Sequence, residues 1–162
     1  MRILIDITLF AAALAFMEGF AWFTHRFVMH GFLWVWHRSH HEPREGRFEL
    51  NDLFAVVFAA PAVVCIWLGV HGVPPLLPVG LGITAYGAVY AIFHDGLVHR
   101  RYPLPWRGRS PYWKRLIQAH RIHHAVATKH GCVSFGFLLA PPVRDLKSRL
   151  TAIQASRPRQ LI

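Results

Sequence analysis

Ten of the chain's twelve histidines fall into four clusters built on two repeating spacings. His25 and His30 stand with four residues between them, and His37, His40 and His41 follow. The same two spacings return as His94/His99 and His120/His123/His124. A neutral imidazole is a ligand for zinc, copper, iron or nickel. The duplication therefore demands a fold that brings residues 25–41 and 94–124 together as the two halves of one multinuclear metal site.

The chain around these clusters is not that of an ordinary soluble domain. At 162 residues it is long enough for a single domain, 1–162, and 54% of it is hydrophobic. Residues 3–23 are apolar except for Asp6, Thr8 and Glu18. About 20 such residues span a bilayer core. The segment runs directly into the histidines without a cleavage-type boundary, so it reads as a retained helix rather than a signal peptide. Residues 53–70 and 76–93 are two further spans, joined by the turn His71-Gly72-Val73-Pro74-Pro75. Pro61 is expected to kink the second span. Asn51 or Asp52 is expected to cap its start. Ala11, Ala15 and Gly19 in the first span, and Gly80, Thr84 and Ala88 in the third, form small-residue stripes suited to close helix contact. The fold class expected is an all-α integral membrane protein with three to four membrane helices and a histidine-rich di-metal cap.

Charge gives the orientation. The net charge is +10, with arginine and lysine concentrated in 26–47, 100–121 and the tail, and absent from 48–99. An odd number of crossings puts the ends of the first and third spans on one side. Both ends lead into basic segments, so the positive-inside rule places all four clusters in the cytoplasm. The same distribution gives a nucleic-acid binder no continuous basic face. Cys65 and Cys132 have no metal-knuckle spacing and read as reduced, buried thiols. Residues 131–142 are apolar but too short to cross, and read as re-entrant, interfacial or part of a substrate pocket. Leu146, Leu150 and Ile153 suit a short helix lying on an anionic membrane surface.

Within each H-x2-H-H cluster, positions i, i+3 and i+4 share one helix face. Residues five apart, as in His25/His30 and His94/His99, lie about 140° apart on an ideal helix. Those pairs need a π-type bulge, a helix end, or two different metals to serve. Ten imidazoles are too many for one ion. Two ions with about five each leave room for oxygen or water, and redox-inactive zinc makes less sense of such a site than iron. Glu18, two helical turns before His25, and Asn51, Asp52 and Asp95 are candidate partners for the outer nitrogens of bound imidazoles. His71, alone in its turn, reads as an exposed interfacial residue.

The words H-R-F-V-M-H-G, H-R-S-H-H-E-P, F-E-L-N-D-L-F, F-H-D-G-L-V-H-R-R-Y-P, H-R-I-H-H-A and G-C-V-S-F-G-F-L-L-A-P-P cover most of residues 20–142. Their combination resembles the membrane fatty-acid hydroxylase and sterol desaturase superfamily, and within it the bacterial β-carotene hydroxylases. The resemblance implies a non-haem di-iron monooxygenase acting at C3 of the β-ionone rings of β-carotene, giving β-cryptoxanthin and zeaxanthin. It implies O2 as co-substrate, a ferredoxin-type electron donor, the lipid bilayer as setting, and the ten clustered histidines as ligands of two iron ions. His130 is left outside that set. Trp22, Phe23, Phe27, Trp34 and Trp36 surround the first clusters and can wall a substrate channel, although each singly also reads as an interfacial aromatic. The competing readings are a hydroxylase or desaturase of another membrane lipid, a fatty acid or sterol, and a non-enzymatic membrane metal-binding or transport protein.

Overall fold

In the computed structural model, which describes residues 1–43 and 46–156, six α-helices carry the chain and no strand occurs among the described residues. Helix α1 (Arg2–Phe23) continues without a break into a π-helical segment, Thr24–Phe32. After Gly31, whose backbone leaves the helical region (φ −108°, ψ −124°), the chain turns into the short α2 (Trp34–His41). A single 3₁₀ turn (Leu50–Asp52) leads into α3 (Leu53–Val70), and α4 (Leu76–Tyr90) returns from the turn at 71–75. Helix α4 also ends in a π-helical extension, Ala91–Val98. Helices α5 (Pro111–His124) and α6 (Val143–Ala155) complete the described chain.

Three of these helical runs are long and apolar enough to cross a membrane: Arg2–Phe32, Leu50–Val70 and Leu76–Val98. Ile3, Leu4, Ile7, Phe16, Val56, Val63, Val64 and Trp67 all stand exposed. In water they would form an apolar surface far larger than a soluble monomer tolerates; against lipid they are solvated. Helix α4 packs between α1 and α3, as the glycines show. A Cβ on Gly82 would stand 2.5 Å from the Phe10 carbonyl and 2.9 Å from Ala13 Cβ on α1. On Gly80 it would meet Ile66 and the Ala62 carbonyl on α3 at 2.7 and 2.9 Å. Of the two small-residue stripes, that of α4 is used through Gly80. That of α1 faces outward: Ala11, Ala15 and Gly19 are exposed, and nothing lies within 4 Å of a Cβ on Gly19. Pro61 lies inside α3, on its exposed side, and the helix runs on past it.

Other local expectations change. Asn51 and Asp52 do not cap α3 with their side chains; Glu49 and Asp52 form a reciprocal capping box around the 3₁₀ turn instead. The Leu146/Leu150/Ile153 stripe does not lie free for a membrane surface. Leu146 is 1% exposed and packs with Ala119 and Val133, with Ile122, Leu150 and Ile153 around them, so α6 clamps α5. The rest of the tail, from Arg157, lies outside the described residues. Helix α5 starts at Ser110, whose Oγ accepts from the Trp113 N–H, with Pro111 as its first residue. Cys65 and Cys132 form no disulfide among the described residues, and only Cys132 is buried.

If close approach of α1 and α4 is what Gly82 provides, Gly82→Ala should overpack that contact and cost about 1–3 kcal/mol. Gly19→Ala should be neutral. Thermal unfolding of the two variants in detergent compares them directly.

Candidate metal centre

Both H-x4-H pairs sit in π-helical segments: His25 and His30 within 24–32, and His94 in 91–98 with His99 at its C-terminal boundary. Where each N–H reaches back five residues instead of four, residues five apart stack one above the other. The His99 N–H donates to the His94 carbonyl at 3.0 Å, closing such a ring. The spacing that is awkward for an α-helix is thus the hydrogen-bond reach of the helix that forms, which keeps both members of a pair on one face.

All ten clustered histidines meet beyond the ends of α1 and α4, in two sets. In the first, His25 Nε2 and His41 Nε2 each lie 3.2 Å from His37 Nε2, and His30 Nε2 lies 3.1 Å from His123 Nε2. In the second, His40 Nε2 lies 2.9 Å from His94 Nε2, and His120 Nε2 stands 3.2 Å from His99 Nε2 and 3.0 Å from His124 Nε2. His25, His30, His37 and His123 can together hold one ion, and His40, His94, His99, His120 and His124 another. His41 stands at the edge of the first set, beside His37 with its ring 5.0 Å from that of His30, and shares a third group able to hold a metal with His123 and Cys132.

The sets do not follow the halves of the chain. His40 leaves its own half to join the second set, and His123 leaves its own to join the first. Helix geometry explains it: from His37, position i+4 is turned about 40° one way and position i+3 about 60° the other. His41 and His40 therefore splay to opposite sides of α2, and His124 and His123 do the same on α5. The His41 and His124 rings stack at 4.4 Å where the two helices meet.

The outer nitrogens decide the chemistry. His25 Nδ1 donates to the Phe135 carbonyl (2.9 Å), His30 to Lys129 (3.0 Å), His41 to Val126 (2.9 Å) and His123 to Val133 (3.1 Å). His37 Nδ1 donates to Asn51 Oδ1 at 2.7 Å, His40 to Glu49 Oε2 and His94 to Asp95 Oδ1, both at 2.9 Å. Each acceptor is an oxygen without a proton, so Nδ1 carries the hydrogen and Nε2 is a bare lone pair. Lone pairs facing one another near 3 Å repel unless a cation lies between them. Two nitrogens each about 2.1 Å from one ion stand about 3.0 Å apart when they subtend a right angle. The observed 2.9–3.2 Å fits ligation. Protonation is no alternative. Burial, and then the neighbouring histidines, lower His41 to about 4, His37 to about 3 and His124 to about 2. His40, His120 and His123 are held well below the ordinary value for the same reasons. His120 Nδ1 is itself buried without a hydrogen-bond partner among the described residues.

Of the candidate supporting residues, Asn51 and Asp95 each touch a histidine. Asp52 does not; it accepts from the Glu49 N–H and pairs with Arg101 at 2.6 Å. Glu18 reaches no histidine either. Its Oε1 accepts from the N–H groups of Phe137, Leu138 and Leu139 at 2.9–3.0 Å, and its Oε2 from the Tyr86 hydroxyl at 2.8 Å. It acts one step removed, by fixing the segment whose Phe137 ring stacks on His25 at 5.2 Å. Sequence reasoning missed Glu49, although E-x2-D beside F-E-L-N-D was a capping-box signal. It missed the carbonyls of 126–135 entirely, since main-chain acceptors leave no trace in residue type. His71 is exposed, stacks on Trp67 at 4.7 Å and donates to its carbonyl, far along the chain from either set. His130 is exposed.

Beside the centre lies an apolar cavity of about 400 Å³ between α1, α3 and α4. Met17, Phe54, Phe58, Tyr86 and Phe137 line it, and at one end Asn51, Asp95 and Arg101. Phe137 and Tyr90, whose ring stacks on His94 at 4.6 Å, stand between cavity and imidazoles. The aromatics expected to wall a channel are elsewhere. Trp22, Phe23 and Phe27 are exposed, Trp34 packs on His30 and His41, and Trp36 packs on Phe54. A second, polar groove of about 500 Å³ opens on His40, His41, His99 and His124 from the other side.

The fatty acid hydroxylase family profile matches residues 10–141. A protein named beta-carotene hydroxylase from Pseudescherichia vulneris is 54% identical over 144 residues, covering 89% of this chain and 82% of the relative. One of the same name from Paracoccus sp. (strain PC1) is 48% identical over 148 residues, 91% of each chain. A chloroplastic beta-carotene hydroxylase from Capsicum annuum is 44% identical over 82% of this chain and 42% of its own length. No solved structure matches.

The unfolded chain takes up protons on these histidines near pH 6.5, whereas in the fold His41 waits until about 4 and His37 until about 3. Stability of the metal-free protein is therefore full above 6.5 and falls as pH is lowered toward 4. The thermal midpoint in detergent should drop steadily between pH 7 and 5; a flat profile would contradict the buried, neutral assignment.

Proposed function

The chain belongs to the fatty acid hydroxylase family and is a hydroxylating oxidoreductase, and from that premise we propose that it hydroxylates β-carotene at C3 of its β-ionone rings, giving β-cryptoxanthin and then zeaxanthin. The observation that carries the reading is the adjacency of the clustered histidines to an apolar cavity between the membrane-crossing helices. The substrate comes from relatives named beta-carotene hydroxylase that are 48–54% identical over most of the chain.

In this reading His25, His30, His37, His41 and His123 hold one iron, and His40, His94, His99, His120 and His124 the other. Bound iron supplies the reductive activation of dioxygen, with electrons from a ferredoxin-type donor. The remaining work falls to the chain's own residues. The oxygens behind the imidazoles fix tautomer and ring orientation, so that ligation requires no reorganisation. Met17, Phe54 and Phe58 offer an apolar ring a place to leave the lipid without meeting water. Phe137 and Tyr90 set how closely a ring in the cavity approaches the centre. His37, His40 and His41 are buried with Nδ1 tied to Asn51, Glu49 and the Val126 carbonyl, which holds each in one tautomer. With the basic segments inside, the centre lies at the cytoplasmic edge of a bacterial inner membrane.

Expression in cells that accumulate β-carotene, with pigments separated chromatographically, tests the reading. β-Cryptoxanthin and zeaxanthin should appear. His40→Ala and His123→Ala should each lower conversion by orders of magnitude, and His71→Ala should leave it unchanged. Failure to hydroxylate carotenoid with iron and reductant supplied, alongside hydroxylated or desaturated fatty acid or sterol in the same extracts, would replace the substrate. Separately, Ala59→Phe, which narrows the cavity, should slow turnover without lowering the iron content.

A further inference from the structure

The two histidine sets differ in what stands behind them. In the first, all five Nδ1–H groups go to uncharged oxygens: four main-chain carbonyls and the Asn51 amide. In the second, His40 and His94 donate to the carboxylates of Glu49 and Asp95. Arg101 lies among these acids, 2.6 Å from Asp52 and 3.6 Å from Asp95. Glu49 is itself well buried, its side chain 9% exposed, so water screens it little. A carboxylate accepting from Nδ1 makes the imidazole a more basic ligand than a neutral carbonyl does. An anion a few ångströms behind the ligand also attracts the cation directly.

We propose that the second set is the tighter of two inequivalent metal positions, and that Glu49 and Asp95 are the positioning residues responsible. The two ions then bind in separate steps. Access follows the same division. The polar groove reaches His40, His99 and His124 of the second set but only His41 of the first. The first set is closed over by Phe135, whose ring lies 5.2–5.5 Å from those of His25, His30 and His123, while Phe137 touches both sets. The stronger position is also the one open to the polar side. The inference rests on the metal-centre reading above.

The test is equilibrium competition between iron-loaded, detergent-solubilised protein and a chelator of graded concentration, with iron counted per chain. The wild-type chain should lose its iron in two separate steps of one ion each. Glu49→Gln and Asp95→Asn each keep an oxygen that accepts from Nδ1 and remove only the charge. Each should weaken the tighter step about tenfold or more and leave the other in place. Asn51→Asp puts a charge behind His37 and should strengthen the weaker step. Release in one step, or charge-removing variants that shift both steps equally, would overturn the proposal. If either of those variants fails to fold, Asn51→Asp decides: a weaker step that does not move refutes it. A wild-type chain that holds no iron would sink the metal-centre reading instead.

Discussion

The cap of this protein depends on imidazoles that are buried, neutral and held by the wrong nitrogen for their own comfort. Tying Nδ1 of His25, His37, His40 and His94 to oxygen acceptors leaves their Nε2 lone pairs facing one another at about 3 Å. Without a cation that is an unfavourable arrangement, and the scaffold has to maintain it. The chain does so with backbone more than with side chains. Between Val126 and Phe135 four carbonyls point at four histidines. Ser134, in the left-handed region at φ 64°, turns the chain between Val133 and Phe135 so that both flanking carbonyls face the centre. A non-glycine residue held there stores strain of about 1–3 kcal/mol, which persists only where the surroundings over-determine it. Glu18 is part of that surrounding. An ionisable side chain inside a membrane helix is costly unless fully satisfied, and here four donors meet it, three of them main-chain groups of the next stretch of this same segment.

Much of this was legible in the sequence. The three spans and the grouping of ten histidines follow from hydropathy and spacing, and α3 spans the residues expected of it. What hydropathy could not give is the true extent of the first and third helices. They run on past the lipid-like residues as π-helices, because nothing about polarity signals a change of hydrogen-bond register. The H-x4-H spacing left a π-type bulge open beside a helix end or two separate metals, and five residues is the hydrogen-bond reach of the segment that forms. The crossing of His40 and His123 was also latent, since i+3 and i+4 diverge by about 100° around a helix. Treating the three positions as one face hid that divergence. The Leu146 stripe misled for a different reason: an amphipathic helix shows which face is buried and never against what.

The centre separates two solvents. On one side α1, α3 and α4 enclose an apolar cavity, and on the other a polar groove opens among charged residues. Phe137 stacks on His25 and lines the cavity at once, so a single loop residue touches ligand and chamber. That loop is in turn anchored by Glu18 on the first membrane helix. Cavity wall, buried histidine and membrane helix are thus mechanically one unit.

The exchange of His40 and His123 has a consequence for how the molecule is made. Neither set can be completed from one half of the chain: the first waits for His123 and the second for His124. By the time these residues leave the ribosome, all three apolar segments have already been synthesised. A metal held by either set would therefore be captured late in biogenesis, and would fasten the earliest part of the polypeptide to a much later one.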